Sequence, residues 1–435
     1  MTGAVLWHLP LRILSRLAPE PYRSAARALN AALAGRSDHP LLRLLSRIQR
    51  EVAPPVRRRF WRNVLRRWLL TGSKIRGRAQ VQFPPVLLLS LTDTCNYRCK
   101  GCYAAGHEKG HQMDPALVDR LIREAEAHGT NYFVILGGEP FLWPHLILML
   151  RNHPEAWFQV YTNGSLIDRQ TAVDLRKVAN VQVMISLEGL RDQTDARREA
   201  GAFDNCIRAM AHLRAERLPF GVGITCYRSN VREVVSEEFV REMISRGCLF
   251  LWYFYYMPYG DLPEFDEVLT PEDRAHLYRE VVHIRSAYPV IAADQIADCT
   301  PVGGCAARAG LALHIAAAGL VEPCAQMHFS DCSIHGKSIL EVLKESEFLR
   351  RIRSPAAEPS RACFLQDCCS ELQQIVRLSG ARDNTGGRDT QSLAEMASRV
   401  GDGESVVAGD LDDPYAPLTK FFFEMLSPVD ASSGG

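Results

Sequence analysis

Two apolar periods alternate along the middle of this 435-residue chain, and that alternation restricts its fold more than any other feature. Continuous apolar runs occur at VLLLSL (86–91), YFVIL (132–136), FQVYT (158–162), VQVMISL (181–187), FGVGITC (220–226) and FLWYFYYM (250–257). The stretches that follow them, 114–128, 143–152, 167–178, 202–216, 231–246 and 271–287, carry apolar residues at helical spacing. Six strands, each followed by a helix, predict parallel pairing through right-handed crossovers. Several runs are apolar at successive positions, as strands covered on both faces require. The result is an α/β fold, either a doubly wound sheet or an incomplete barrel, and in both ligands gather at the carboxyl ends of the strands. The polar and glycine-rich segments fall at those ends: TDTCNYRCKGC after the first strand, GGEP after the second, TNG after the third and SLEG after the fourth.

Charge divides the chain. Residues 1–80 hold 17 Lys and Arg against three acids, whereas the remainder holds 34 against 47. This marks a basic, helical N-terminal region with its own surface. In PPVRRRFWRNVLRRWLL (54–70), Val56, Phe60, Val64, Leu65, Trp68 and Leu69 recur opposite six arginines. Such a helix suits the interface of an anionic membrane, or else packs on the domain that follows. No helix-turn-helix or zinc module accompanies the charge, so nucleic acid is not an expected partner. Nowhere do ~18 apolar residues run uninterrupted, and no signal peptide is recognisable, so a cytoplasmic location is expected, with attachment at the inner face of the membrane as an extension of it.

Thirteen cysteines, clustered and odd in number, point to metal or cluster ligation rather than disulfides. Cys95, Cys99 and Cys102 are spaced C-x3-C-x2-C on the loop leaving the first strand. Three thiolates so placed can hold three irons of a cubane and leave the fourth open. A structural zinc site closes all four positions and wants a second ligand pair, which does not follow at zinc-finger spacing; His107 is the rival ligand nearby.

This loop resembles the signature of radical S-adenosylmethionine enzymes, with Tyr103 at the aromatic position beside the last cysteine. The resemblance covers roughly residues 84–290 and implies a partial (β/α)6 barrel of TIM type. It also implies a 4Fe–4S cluster on Cys95, Cys99 and Cys102, whose open iron takes the amino and carboxylate groups of S-adenosylmethionine. Gly137, Gly138, Glu139 and Pro140 match the family's GGEP motif, in which backbone and carboxylate hold the methionine ammonium; the two glycines would let the chain approach a ligand closely. Thr162 and Asn163, and Ser186 and Glu188, stand where the family contacts ribose and carboxylate. Arg198 matches the arginine that pairs with the methionine carboxylate, with Arg197 as its rival. The implied activity is reductive cleavage of S-adenosylmethionine to a 5′-deoxyadenosyl radical, which abstracts hydrogen from an unactivated C–H bond of a peptide or lipid. A flavodoxin or ferredoxin would supply the electron. The contrasting reading, a non-catalytic iron–sulfur carrier or sensor, has no need of an open iron or of GGEP.

Past residue 290 the alternation stops and cysteines return. LALHIAAAGLVEPC reads as a small hairpin turning at Gly319 that delivers Cys324 beside Cys305. This resembles the start of the SPASM or shorter twitch extension and implies an auxiliary 4Fe–4S cluster, with Cys299 and Cys363 completing the ligands. The full SPASM run of four closely spaced cysteines is missing, and Cys332, Cys368 and Cys369 would serve a second cluster only with another ligand. The expected layout is a basic region (1–80), the core barrel (81–290), the cysteine-rich extension (291–380) and a tail (381–435). In the aromatic sixth strand, alternation puts Trp252, Phe254 and Tyr256 on one face and Leu251, Tyr253 and Tyr255 on the other.

Overall fold

The computed structural model describes residues 40–78, 81–106, 110–302, 305–353 and 363–400, with Asp413, Thr419 and Leu426. His107, the opening segment and most of the expected tail lie outside the described residues.

Each of the six apolar runs forms a strand: β1 (Val86–Ser90), β2 (Tyr132–Leu136), β3 (Trp157–Thr162), β4 (Val181–Leu187), β5 (Phe220–Cys226) and β6 (Phe250–Tyr255). Every sequential pair is parallel. The intervening stretches are helical, among them Pro115–Ala127, Arg169–Val178, Ala202–Ala215 and Pro271–Ala287. Their starts are written locally. Asp114 accepts from the backbone N–H of Ala116 and Leu117 at 2.8 and 3.1 Å with Pro115 in the first turn, and Thr270 and Asp273 form a reciprocal capping box. Because strand order follows chain order without reversal, the sheet winds in one direction as a barrel does, rather than outward from a switch point.

The sheet continues past residue 290. β7 (Ile291–Asp294) pairs in parallel with β6, and β8 (Ala312–Ile315) pairs in parallel with the free edge of β1. β9 (Val321–Glu322) then folds back on β8 in antiparallel fashion, so the order is β7-β6-β5-β4-β3-β2-β1-β8-β9. Gly319, at φ +80°, makes the expected hairpin turn, where a Cβ would strike the His335 ring. β7 escaped the sequence reading because IAAD is only four residues long and carries little apolar bulk. A short pair, β10 (Phe329–Ser330) and β11 (Arg382–Asp383), ties the chain after residue 380 to the extension.

The face assignment in β6 follows from contacts. Tyr253 donates its hydroxyl to the Val234 carbonyl, and Tyr255 to Asp294, so this face meets the outer layer. Phe254 packs edge-on to Tyr161 of β3 at 5.6 Å and stacks with Trp252, which places this pair on the barrel's inner face. Gly223 on β5 leaves room for it, since a Cβ there would lie 2.9 Å from the Tyr161 ring.

The N-terminal basic segment is helical from Pro54 to Arg76, π-wound between Trp61 and Gly72. Its apolar stripe does not face solvent. Val56, Val64, Trp68 and Leu69 are buried, Trp68 lies 4.6 Å from the Tyr132 ring and donates to the Pro85 carbonyl, and Phe60 packs on Trp157 at 5.2 Å. Arg59 and Arg62 bind the Pro154 carbonyl, and Arg67 pairs with Glu155. The membrane-interface reading of Val56, Phe60, Val64 and Trp68 is therefore corrected: side chains packed against the barrel are not available to a headgroup zone. Among the described residues no helix is long and apolar enough to cross a membrane. Val56→Ala should cost about 2 kcal/mol of stability, from two lost carbons and the cavity they leave. Urea unfolding measures this, and an unchanged midpoint would show that the stripe does not hold the barrel.

Candidate active site at the carboxyl ends of the strands

The segment after β1 is fixed first by its own backbone. The N–H groups of Gly138 and Glu139 donate to the carbonyls of Thr92 and Thr94 at 2.7 and 2.9 Å. A Cβ on Gly137, at φ +137°, would lie 2.3 Å from the Thr92 carbonyl, and one on Gly138 would lie 2.2 Å from that of Thr94. The two glycines thus allow close approach to the cysteine loop itself, one residue before Cys95, where the sequence reading had placed a ligand.

Glu139 is buried and accepts three hydrogen bonds, from Thr162 Oγ1 (2.8 Å), Asn163 N (2.8 Å) and Phe141 N (3.1 Å). Burial raises its pKa, and these bonds oppose the rise. Asn163 extends the link: its Nδ2 donates to Asn96 Oδ1 at 2.9 Å and lies 3.9 Å from Cys95 Sγ. The ends of β2 and β3 therefore grip the first cysteine from one side.

From the other side comes the helix after β4. Glu188, fully buried, accepts from Arg197 Nη1 and Arg198 Nη2 at 2.7 Å each, and Arg198 Nε completes a bidentate fork. Burial alone would raise the Glu188 pKa, but the charges of Arg198 and Arg197 outweigh it and hold the carboxylate low. Arg198 Nη1 reaches Cys99 Sγ at 3.9 Å, Arg197 Nη2 donates to the Gly101 carbonyl at 3.3 Å, and the Arg197 carbonyl accepts from Lys100 N at 2.9 Å. Ser186 is half-buried at the end of β4, where its carbonyl accepts from the Cys206 thiol. Cys206, Cys226 and Cys248 are core residues.

Two contacts were missed in the sequence. Gly101, at φ +57°, lies against the Tyr256 hydroxyl, where a Cβ would come within 2.5 Å. A Cβ on Gly260 would lie 2.7 Å from the carbonyls of Cys102 and Tyr103. A glycine directly before Cys102 was the available signal. Tyr103 itself is half-buried and stacks on His328, 6.0 Å between rings.

All three loop cysteines are partly buried. Desolvation raises the thiols of Cys95 and Cys99, the latter to about 11, although Arg198 opposes the shift at both. A buried thiol in this state ionises when a metal takes the place of its proton. No three His, Cys, Asp or Glu side chains among the described residues converge closely enough for a single metal ion. A cubane asks instead for thiols that each meet a separate iron.

Four of the extension's cysteines stand at the ends of its strands and turns, with Cys305 within electrostatic range of the other three. Cys299 follows β7, Cys305 precedes β8, Cys324 follows β9, and the Cys363 N–H donates to Asp367 at 2.8 Å. Burial pushes Cys299, Cys324 and Cys363 up, and after burial the Cys305 charge is the next cause in each. The main charged neighbours of Cys332 are Asp331 and Lys337, while Cys368 and Cys369 are buried in the core.

Residues 89–237 match the radical SAM superfamily. That segment is similar to a radical SAM domain. It is 30% identical over 183 residues to the Fe-coproporphyrin III synthase of Methanosarcina barkeri (strain Fusaro / DSM 804), covering 40% of this chain and 45% of that protein. The chain thus spans less than half of this relative. It is 23% identical over 312 residues to an AdoMet-dependent heme synthase of the same organism, covering 64% and 87%. In structure it is similar to Streptococcus suis SuiB bound to precursor peptide SuiA, with a TM-score of 0.56 at 17% identity over 71% of this chain and 76% of that one. A radical SAM domain takes a 4Fe–4S cluster and S-adenosylmethionine. The residues present fit that pair: three free thiols on one clamped loop, a buried carboxylate at one side and a guanidinium fork at the other.

Proposed function

We propose that this chain is a radical S-adenosylmethionine enzyme acting on a peptide, with the side chain that loses hydrogen seated at the carboxyl ends of the strands. When bound, the reduced cluster and S-adenosylmethionine supply a 5′-deoxyadenosyl radical. Cys95, Cys99 and Cys102 would hold the irons. Glu139 would accept from the methionine ammonium, for which its oxygens keep lone pairs beyond the three bonds already made. Arg198 would meet the methionine carboxylate, held in place by Glu188 rather than assisted by it. Thr162, Asn163 and Ser186 would line the nucleoside side, with Tyr103 beside the last cysteine. Trp252 and Phe254 on the inner face would keep water from the substrate. Cys299, Cys305, Cys324 and Cys363 would carry one auxiliary 4Fe–4S cluster, and a one-electron donor such as a flavodoxin or ferredoxin would reduce the protein.

The observation that carries this reading is the double clamp on the cysteine loop, by GGEP on one side and by Glu188 through two arginines on the other. The peptide is favoured over a lipid by size. The cavity beside Gly137, Gly138 and Tyr103 is about 270 Å³, just under the usual range for a whole small-molecule ligand and ample for a side chain. The similarity to heme synthases supports a tetrapyrrole as the second reading. Reconstituted protein with S-adenosylmethionine and a chemical reductant should release more 5′-deoxyadenosine with a peptide pool than with coproporphyrin or lipid vesicles. Stimulation by coproporphyrin alone would move the assignment to the second reading, and by lipid alone would overturn the size argument.

A further inference from the structure

We infer that the turn leaving β6, residues 256–260, is a positioning strap for Cys102, and that the cysteine-rich extension holds this strap in place. Two of the three loop cysteines have supports from the barrel: Cys95 from the ends of β2 and β3, and Cys99 from the helix after β4. Cys102 has the strap. A Cβ on Gly101 would meet the Tyr256 hydroxyl at 2.5 Å, and one on Gly260 would meet the carbonyls of Cys102 and Tyr103 at 2.7 Å. The contacts therefore fall on both sides of this cysteine. Gly260 stands at φ +92°, a conformation that residues with a side chain rarely adopt.

Connecting segments usually run over the surface, because their backbone groups need partners that water supplies, yet Tyr256, Met257, Pro258, Tyr259 and Gly260 are all buried. Their polar groups are met from far along the chain. Gln366 Nε2 donates to the Tyr256 carbonyl, the Tyr259 hydroxyl donates to the Leu365 carbonyl, and the Gly260 N–H donates to Asp389 Oδ1, each at 2.9 Å. Tyr259, Gln366 and Asp389 are fully buried. Asp389 lies in the first turn of the helix Arg388–Val400, and its second oxygen binds His328 Nδ1 at 2.6 Å. The His328 ring stacks on Tyr103, so the path from the extension reaches the cysteine loop twice, through Gly260 and through Tyr103. Glu139 and Arg198 are fixed to the barrel by their own partners. The seat of Cys102 thus decides how a cluster on the loop fits the groups proposed for S-adenosylmethionine.

The inference rests on the cofactor contacts proposed above but on no substrate, so it and the peptide assignment can fail separately. Anaerobic equilibrium dialysis of S-adenosylmethionine against the oxidised, cluster-loaded protein tests it, with iron content and urea midpoint measured alongside. Tyr259→Phe removes the hydroxyl and keeps the ring. Gln366→Leu is the second variant, because Gln366 Oε1 has no partner among the described residues and its loss leaves less unmatched. Each variant should keep about eight irons and bind S-adenosylmethionine about fivefold more weakly, the worth of one buried hydrogen bond. Replacing Cys305 and Cys324 by alanine should weaken binding to a similar degree. Tyr259→Phe added to that pair should weaken it no further, as changes on one path do. Wild-type affinity in both single variants overturns the strap even where their urea midpoints fall, since packing alone moves stability and not affinity. Unchanged affinity when Cys305 and Cys324 are replaced, or effects that multiply in the combined variant, overturns the part given to the extension.

Discussion

Replacing Cys95, Cys99 and Cys102 together by alanine should abolish cleavage of S-adenosylmethionine and remove about half of the bound iron. Two 4Fe–4S clusters correspond to about eight irons per chain, so the triple variant should retain about four. The retained half should disappear when Cys305 and Cys324 are also replaced, since these two belong to the ligand set proposed for the auxiliary cluster and influence each other's charge. Anaerobic reconstitution, iron and sulfide assays and chromatography of 5′-deoxyadenosine measure all of this. The alanine variant should still fold, because the clamp on the loop runs through the backbone of Thr92, Thr94 and Lys100 rather than through the thiols. Cleavage at the wild-type rate by the triple variant would end the cluster assignment, and loss of all iron would show that one cluster cannot form without the other.

Glu188→Gln should be the most destabilising single change at this site. Glu188 is fully buried and is the shared anion of Arg197 and Arg198, both nearly enclosed. Removing one partner of a buried ion pair leaves charge that nothing compensates, at a cost of about 3–5 kcal/mol. The wild-type pair also predicts a pH dependence. The folded pKa of Glu188 is lowered, so its contribution is complete above the unfolded glutamate value of ~4.3 and is lost as pH falls through the folded value. Urea midpoints of the apoprotein between neutral and acidic pH should show this slope, and Glu188→Gln should reduce it. A variant within 1 kcal/mol of wild type, on the same scale of about 3–5 kcal/mol, would mean that solvent reaches the arginines and that the clamp is not electrostatic.

The parts of the site legible in advance were those whose chemistry is local. Three cysteines in eight residues, GGEP after a strand and TNG after the next were each readable where they stand. Other features needed partners far along the chain. Ser90 and His314 are 224 residues apart and meet only because β8 joins the free edge of β1. Glu188 was expected to meet the ligand, and it binds arginines nine and ten residues later, because the following helix folds back over its own strand end. The glycines of GGEP were read as letting the chain approach a ligand closely, and the close approach that the fold displays is to the backbone of Thr92 and Thr94 in the β1 loop. The same holds for the basic N-terminal helix. Its amphipathic pattern was visible, yet a pattern does not say what covers the apolar stripe, and the barrel does.

The sequence by itself determined the six strand–helix units, because their period and apolar content leave a parallel sheet as the way to bury both faces. It also determined that a cysteine loop stands at the carboxyl edge. The tertiary structure alone decided that the sheet runs on through β7 and β8, and that a serine, a histidine and a glutamate line up beside the loop. The physical reason is range: helix and strand periods are fixed by neighbours a few residues away, whereas strand edges and buried charges choose partners by free energy summed over the whole fold.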